Sequence, residues 1–170
     1  MPAYVALLRA VNVGGTGKLP MTDLQALCVD AGFGGVKTYI ASGNVVFNSP
    51  LSEAQVQAIL QDRLQAYAGK PVGVFIRTAT QMAAVLAANP LADHPPNRTV
   101  AIFLNAPPPA DLIEGISHQC DEIIRPGLCE IYVTYPGGMG TSKLKIKAAS
   151  AGTARNMNTI SRLAAMALAL

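Results

Sequence analysis

Thiols and imidazoles are scarce in this chain of 170 residues, which holds three cysteines and two histidines. Cys28, Cys120 and Cys129 form no CxxC pair, and so odd and widely spaced a set excludes a disulfide framework. They read as buried thiols or minor surface residues. His94 and His118 make no histidine pair, so no zinc or other metal site is expected from this inventory. Long apolar runs are missing as well. No stretch reaches the roughly 18 apolar residues a membrane span needs. Met1 to Val13 is apolar but opens without a basic region, is interrupted by Arg9, and lacks a small-residue cleavage site before the glycines that follow. It is expected to be a first strand, not a signal peptide. The expected location is therefore cytoplasmic, with no membrane partner, and there the Asn97-Arg98-Thr99 sequon carries no meaning.

Acid is absent from one end. Residues 131–170 contain five Lys and Arg (Lys143, Lys145, Lys147, Arg155, Arg162) and no Asp or Glu. Residues 1–130 carry eight basic and ten acidic residues, a net of −2. An acid-free basic tail favours an anionic partner, either nucleic acid or a phosphorylated small molecule; the bland alternative is a solvated helix face.

What is present is apolar material, 51% of the residues, with 14% charged. Such a chain can bury a core and does not resemble a disordered one. Tyr4–Val13 reads as a buried strand, with Arg9 sharing a face with Leu7 and Val11 at period two. Pro20 opens a helix carrying Leu24, Leu27 and Cys28 on one face, and Gly32 closes it. Val36–Ala41 and Val45–Asn48 are strands joined by Ser42-Gly43-Asn44. Ser52 caps a helix with Val56, Ile59, Leu60 and Leu64 in register. Pro71–Arg77 is a strand and Thr80–Ala88 a short helix. The proline-rich stretch 89–97 is the best boundary. Beyond it the pattern predicts a strand over Arg98–Asn105, a helix over Pro109–His118, strands over Glu122–Arg125 and Cys129–Tyr135, and helices over Ser142–Ser150 and Asn156–Leu170.

The order strand-helix-strand-strand-helix occurs twice. Thr22-Asp23-Leu24 aligns with Ala110-Asp111-Leu112, and Gly43 with Gly127. The expected fold class is α+β: two ferredoxin-like subdomains, 1–88 and 89–170, from an internal duplication, each an antiparallel sheet with helices on one face.

Two glycine loops carry the most suggestive chemistry. Gly14-Gly15-Thr16-Gly17-Lys18 lets backbone N–H groups crowd an anion beside a lysine. It is not a P-loop, because Asn12 and Leu19 stand where that motif needs Gly and Ser or Thr, and the dinucleotide fingerprint fails too. No cofactor is expected. Gly137-Gly138-Met139-Gly140 precedes Thr141-Ser142-Lys143, hydroxyls and a lysine suited to phosphate at a helix start, or simply to capping. Lys147–Leu163 invites a helix-turn-helix reading, but Asn158 stands where a buried aliphatic is needed and the basic face is thin. No paired carboxylates and no nucleophile with a base stand out.

Ala6-Leu7-Leu8-Arg9-Ala10-Val11-Asn12-Val13-Gly14-Gly15, Lys18-Leu19-Pro20-Met21, Thr38 to Phe47 and Thr153 to Ile160 together resemble the bacterial domain-of-unknown-function family 1697. The resemblance spans nearly the whole chain. It implies a small α+β fold with two ferredoxin-like subdomains, and no activity, substrate or cofactor. Met157 stands where that family tends to carry an aromatic, and Thr141 where it tends to carry Arg.

The leading expectation is a binding protein for an anionic ligand in a cleft between the halves. Arg9, Asn12, Gly14, Gly15 and Lys18 would line one wall, Ser42, Gly43 and Asn44 would add polar donors, and Lys143, Arg155, Asn156 and Asn158 would line the other. Two alternatives stay open: an enzyme on a small phosphate- or nucleotide-bearing substrate, with Lys18 or Lys143 stabilising developing charge, and an interaction protein with no small-molecule site. Oligomeric state is also open, since apolar Leu163–Leu170 suits packing at home or on a partner.

Overall fold

A computed structural model of the chain describes residues 1–13 and 17–170. The strands are β1 (Ala3–Leu8), β2 (Gly34–Thr38), β3 (Asn44–Asn48), β4 (Val74–Thr78), β5 (Thr99–Phe103), β6 (Ile116–Ser117), β7 (Ile123–Pro126), β8 (Glu130–Thr134), β9 (Lys145–Ile146) and β10 (Thr153–Asn156). The helices are α1 (Met21–Asp30), α2 (Glu53–Ala68), α3 (Ala79–Ala87) and α4 (Met157–Leu168). Contacts divide the chain into one unit of Met1–Ala83 with Arg162–Leu170 and another of Ala84–Ser161.

The first unit runs strand-helix-strand-strand-helix-strand into an antiparallel sheet of order β2-β3-β1-β4. Period-two alternation sorts its side chains. Tyr4, Ala6 and Leu8 of β1, Val45 and Phe47 of β3, and Val74 and Ile76 of β4 join one core with Leu24 and Cys28 of α1 and Val56, Leu60 and Leu64 of α2. Phe33 stacks on Phe47 at 4.3 Å between ring centroids. The α2 start is fixed by a capping box: Ser52 Oγ accepts from Gln55 N–H while Gln55 Oε1 accepts from Ser52 N–H. Its end is fixed by Gly69, left-handed at φ +73°.

The second unit has an antiparallel sheet of order β10-β5-β8-β7 and a two-stranded ribbon of β6 and β9. Val100, Ile102, Leu104, Ile131 and Val133 build its core with Leu112 and Ile146. Numbered within each four-stranded sheet, leaving out the β6–β9 ribbon, both sheets run fourth-first-third-second.

Two expected helices take other forms. The helix over Pro109–His118 is a 3-10 turn, Leu112–Gly115, leading into β6. Three consecutive prolines before it and Gly115 within it leave too little chain for an α-helical nucleus. The helix over Ser142–Ser150 is a short strand, β9, between two 3-10 turns, Met139–Thr141 and Lys147–Ala149. Here Leu144-Lys145-Ile146-Lys147 alternates at period two, with Ile146 buried and Lys145 exposed, so the strand period prevails. Thr141, Ser142 and Lys143 therefore do not open a helix. The helix-turn-helix also fails, because residues 153–156 form β10 where a recognition helix would start.

Candidate functional site

Strand β1 ends at Leu8, five residues before the strand expected over Tyr4–Val13 does. Leu8 N–H donates to Gly43 O and Arg9 N–H to Gly73 O, each at 2.9 Å. The backbone then turns left-handed at Ala10 (φ +59°) and Asn12 (φ +56°), so the expected period-two pairing of Arg9 with Val11 does not continue. Ile40, which flanks the same region, is also left-handed at φ +51°, an outlier for a β-branched residue. Strain of this kind clusters at functional sites, and here the two strained segments are tied directly: Asn12 Nδ2 donates to Ala41 O at 2.8 Å.

Asn12 is thus spent on architecture. Its amide oxygen accepts from Leu19 N–H and its amide nitrogen donates to Leu19 O, both at 2.8 Å, and Asn12 N–H donates to Gly17 O. Asn44 is fully buried and donates to Tyr39 O and Ser42 Oγ, each at 2.9 Å, closing the 39–44 turn. Gly43, at φ +90°, lies where a Cβ would fall 2.6 Å from Val11 Cγ2. Gly14 and Gly15 lie outside the described residues.

Arg9 and Lys18 share one concavity of about 570 Å3 in the first unit. Pairing of β4 against β1, Leu8 opposite Val74, sets Gly73 beside Arg9 and brings in Lys70. Gly73 has no Cβ, and one placed there would meet Arg9 Cβ at 3.0 Å, so the glycine leaves room for the arginine stem. The described lining contains three cations, Arg9, Lys18 and Lys70, and no acid. All three are exposed. Leu19, Leu64, Tyr67, Pro71 and Val72 supply an apolar remainder. Tyr67 donates its phenol to Asp23 Oδ2 at 2.7 Å, and that hydrogen bond raises the phenol above its ordinary pKa.

The other expected residues belong to the second unit. Lys143 is exposed between a 3-10 turn and β9. Arg155 is buried in β10, where Nη1 donates to Thr153 Oγ1 at 2.7 Å and Ala154 O at 2.9 Å, and burial pulls the guanidinium down to about 10. Asn156 Oδ1 accepts from Thr159 N–H at 2.9 Å, an N-cap for α4. Asn158 is exposed in the first turn of α4. Around the second glycine loop, Thr141 Oγ1 donates to Gly137 O and Ser142 Oγ donates to Glu122 Oε2, each at 3.3 Å.

Sequence reasoning missed Tyr67 and Lys70. Neither has a local signature of function, and only the β1–β4 pairing and the α2 C-terminus carry them to Arg9. Among the described residues no group of three His, Cys, Asp or Glu is placed to hold a metal. None of their helices is long and apolar enough to cross a membrane.

A family described as "Protein of unknown function (DUF1697)" matches residues 1–132. The fold is similar to that of a conserved bacterial protein from Streptococcus pneumoniae, with a TM-score of 0.78 and 23% identity over 97% of this chain and 98% of that one. No curated protein matches the sequence.

Proposed function

The chain belongs to the DUF1697 family, and from its own residues we propose that it binds a phosphorylated small molecule in the concavity bounded by Arg9, Lys18 and Lys70. The observation that carries this reading is the convergence of three cations on a described lining that contains no acid. Each comes from a different segment: the end of β1, the 12–19 loop and the α2–β4 connection. Chance surface lysines gain nothing from such gathering, since like charges repel, whereas a phosphate is attracted by all three. The size of the concavity, about 570 Å3, is that of a small-molecule site. Leu19, the neighbour of Lys18, is held by Asn12, so little ordering of that position is needed on binding. The reading of the two units as ferredoxin-like duplicates is proposed alongside; the shared strand permutation supports it.

Thermal denaturation with inorganic pyrophosphate, ribose 5-phosphate and AMP tests the proposal. A ligand at roughly a thousand times its Kd raises the unfolding free energy by ~4 kcal/mol. A rise in Tm with these anions, reduced in Lys18→Met and Lys70→Met, is expected. Absence of any rise, or a rise that both variants retain in full, would overturn it.

A further inference from the structure

The cations account for only part of the concavity. Leu19 and Leu64, both buried, and the partly covered Val72 form an apolar floor beside them, and Tyr67 stands at its edge. Inorganic phosphate or a phosphosugar would leave this floor wet. Tyr67 is 46% exposed, a large aromatic surface with no core to cover it. Its ring is nonetheless pinned, because the hydroxyl at the far end of the side chain is bound to Asp23 of α1 while the Cα belongs to the last turn of α2. That bond has a second consequence. The phenol proton is committed to the carboxylate, so Tyr67 offers a ligand its ring face and no hydrogen-bond donor. A fixed, half-uncovered ring next to clustered cations is the arrangement that takes a flat π-system attached to a phosphate.

We infer that the ligand is a mononucleotide, its phosphate held by Arg9, Lys18 and Lys70 and its base stacked on Tyr67. This rests on the anion-binding reading above. The ring supplies base affinity without base identity, since every base has a π-face; the described lining has no Asp, Glu, Asn or Gln to read one Watson–Crick edge against another.

The test compares AMP with ribose 5-phosphate by calorimetry. The two share phosphate and ribose and differ by the base alone. In the native chain AMP is expected to bind about tenfold tighter. Tyr67→Leu should bring the two within about twofold of each other, while Tyr67→Phe, which keeps the ring and loses the Asp23 bond, should retain most of the preference. Melting curves of both variants check that they fold. Equal binding of AMP and ribose 5-phosphate to the native chain would sink the base-stacking inference and leave the anion site standing. A preference that survives in Tyr67→Leu would place the base elsewhere and overturn it too. If neither compound nor pyrophosphate binds, both the site and the inference fall.

Discussion

Asn12 and Leu19 hold each other by both backbone groups of the leucine: Asn12 Oδ1 accepts from Leu19 N–H and Asn12 Nδ2 donates to Leu19 O, each at 2.8 Å. The same amide nitrogen reaches Ala41 O at 2.8 Å, so one side chain ties Leu19 to Asn12 and Asn12 to the 39–44 turn. A left-handed backbone at φ +56° suits asparagine better than almost any other non-glycine residue.

Replacement of Asn12 should therefore act on stability first and on binding through the position of Lys18. Asn12→Ala removes three hydrogen bonds and is expected to cost about 1–3 kcal/mol. Asn12→Asp keeps the acceptor for Leu19 N–H but turns a carboxylate oxygen toward the Leu19 and Ala41 carbonyls. It should be no better than alanine despite its near-identical shape. Urea denaturation of the three proteins ranks them, and an aspartate variant as stable as the native chain would show that the donated bonds contribute nothing.

Gly43 separates two kinds of glycine requirement. At φ +90°, a Cβ there would lie 2.6 Å from Val11 Cγ2 and 2.9 Å from Leu8 Cβ. At Gly32, φ +89°, nothing lies within 4 Å. Gly32→Ala should cost only the left-handed strain, about 1–2 kcal/mol. Gly43→Ala should cost that plus displacement of packed side chains, another 1–3 kcal/mol or so. The difference between the two Tm values measures the packing part, and equal losses would mean the 39–44 turn shifts freely.

The contrast marks what local sequence could reveal. Ser42-Gly43-Asn44 announced a turn, and Ser52 announced the start of α2, because caps and turns are decided by residues three or four apart. The helices expected over Pro109–His118 and Ser142–Ser150 were misread for the same reason in reverse. Their patterns are short, and tertiary pairing of β6 with β9 settled the outcome. Within the candidate site, Arg9 stood out as a charge inside an apolar run and Lys18 as a cation beside glycines. Lys70 did not, since its nearness to Arg9 depends on β4 lying against β1, a pairing across more than sixty residues that no window of sequence contains.

That pairing sets the expected mutational pattern in the site. Arg9→Met, Lys18→Met and Lys70→Met each remove one charge at the rim while keeping most of the stem. With exposed groups screened by solvent, each should weaken pyrophosphate binding by roughly fivefold, a Coulomb contribution of about 1 kcal/mol. The loss should shrink as salt rises from 50 to 300 mM, because screening weakens the very charge–phosphate attraction that each substitution removes. Lys143→Met, outside the concavity, is the control. An effect of Lys70→Met no larger than that of Lys143→Met would detach the α2–β4 connection from the site.

Alkali should expose a different weakness, in the core of the first unit. Cys28 is completely buried against the sheet, and burial pushes its thiol up to about 12 from an ordinary 9.0, with Arg63 opposing weakly. In the second unit Tyr132, buried and with Glu130 nearby, is likewise pushed up to about 12. Both groups have folded values above their unfolded ones. Their protons are bound in both states at neutral pH, and the associated stability is fully present there. As pH rises past 9 the unfolded thiol ionises first, followed by the unfolded phenol near 10, while the folded forms hold their protons. The unfolded state then binds fewer protons, and stability must fall until the folded values are passed near 12. Each group ionised only when unfolded contributes a slope of up to about 1.4 kcal/mol per pH unit. Urea midpoints between pH 8 and 11 should therefore decline, and in Cys28→Ala the decline should start later and run shallower, even though the smaller side chain lowers stability at every pH. Thiol labelling gives the companion reading at neutral pH. Exposed Cys120 should react in the folded chain, whereas Cys28 should react only at the rate at which the unit opens. Labelling of Cys28 as fast as Cys120, or a pH slope untouched by Cys28→Ala, would remove the thiol from the account of alkaline unfolding.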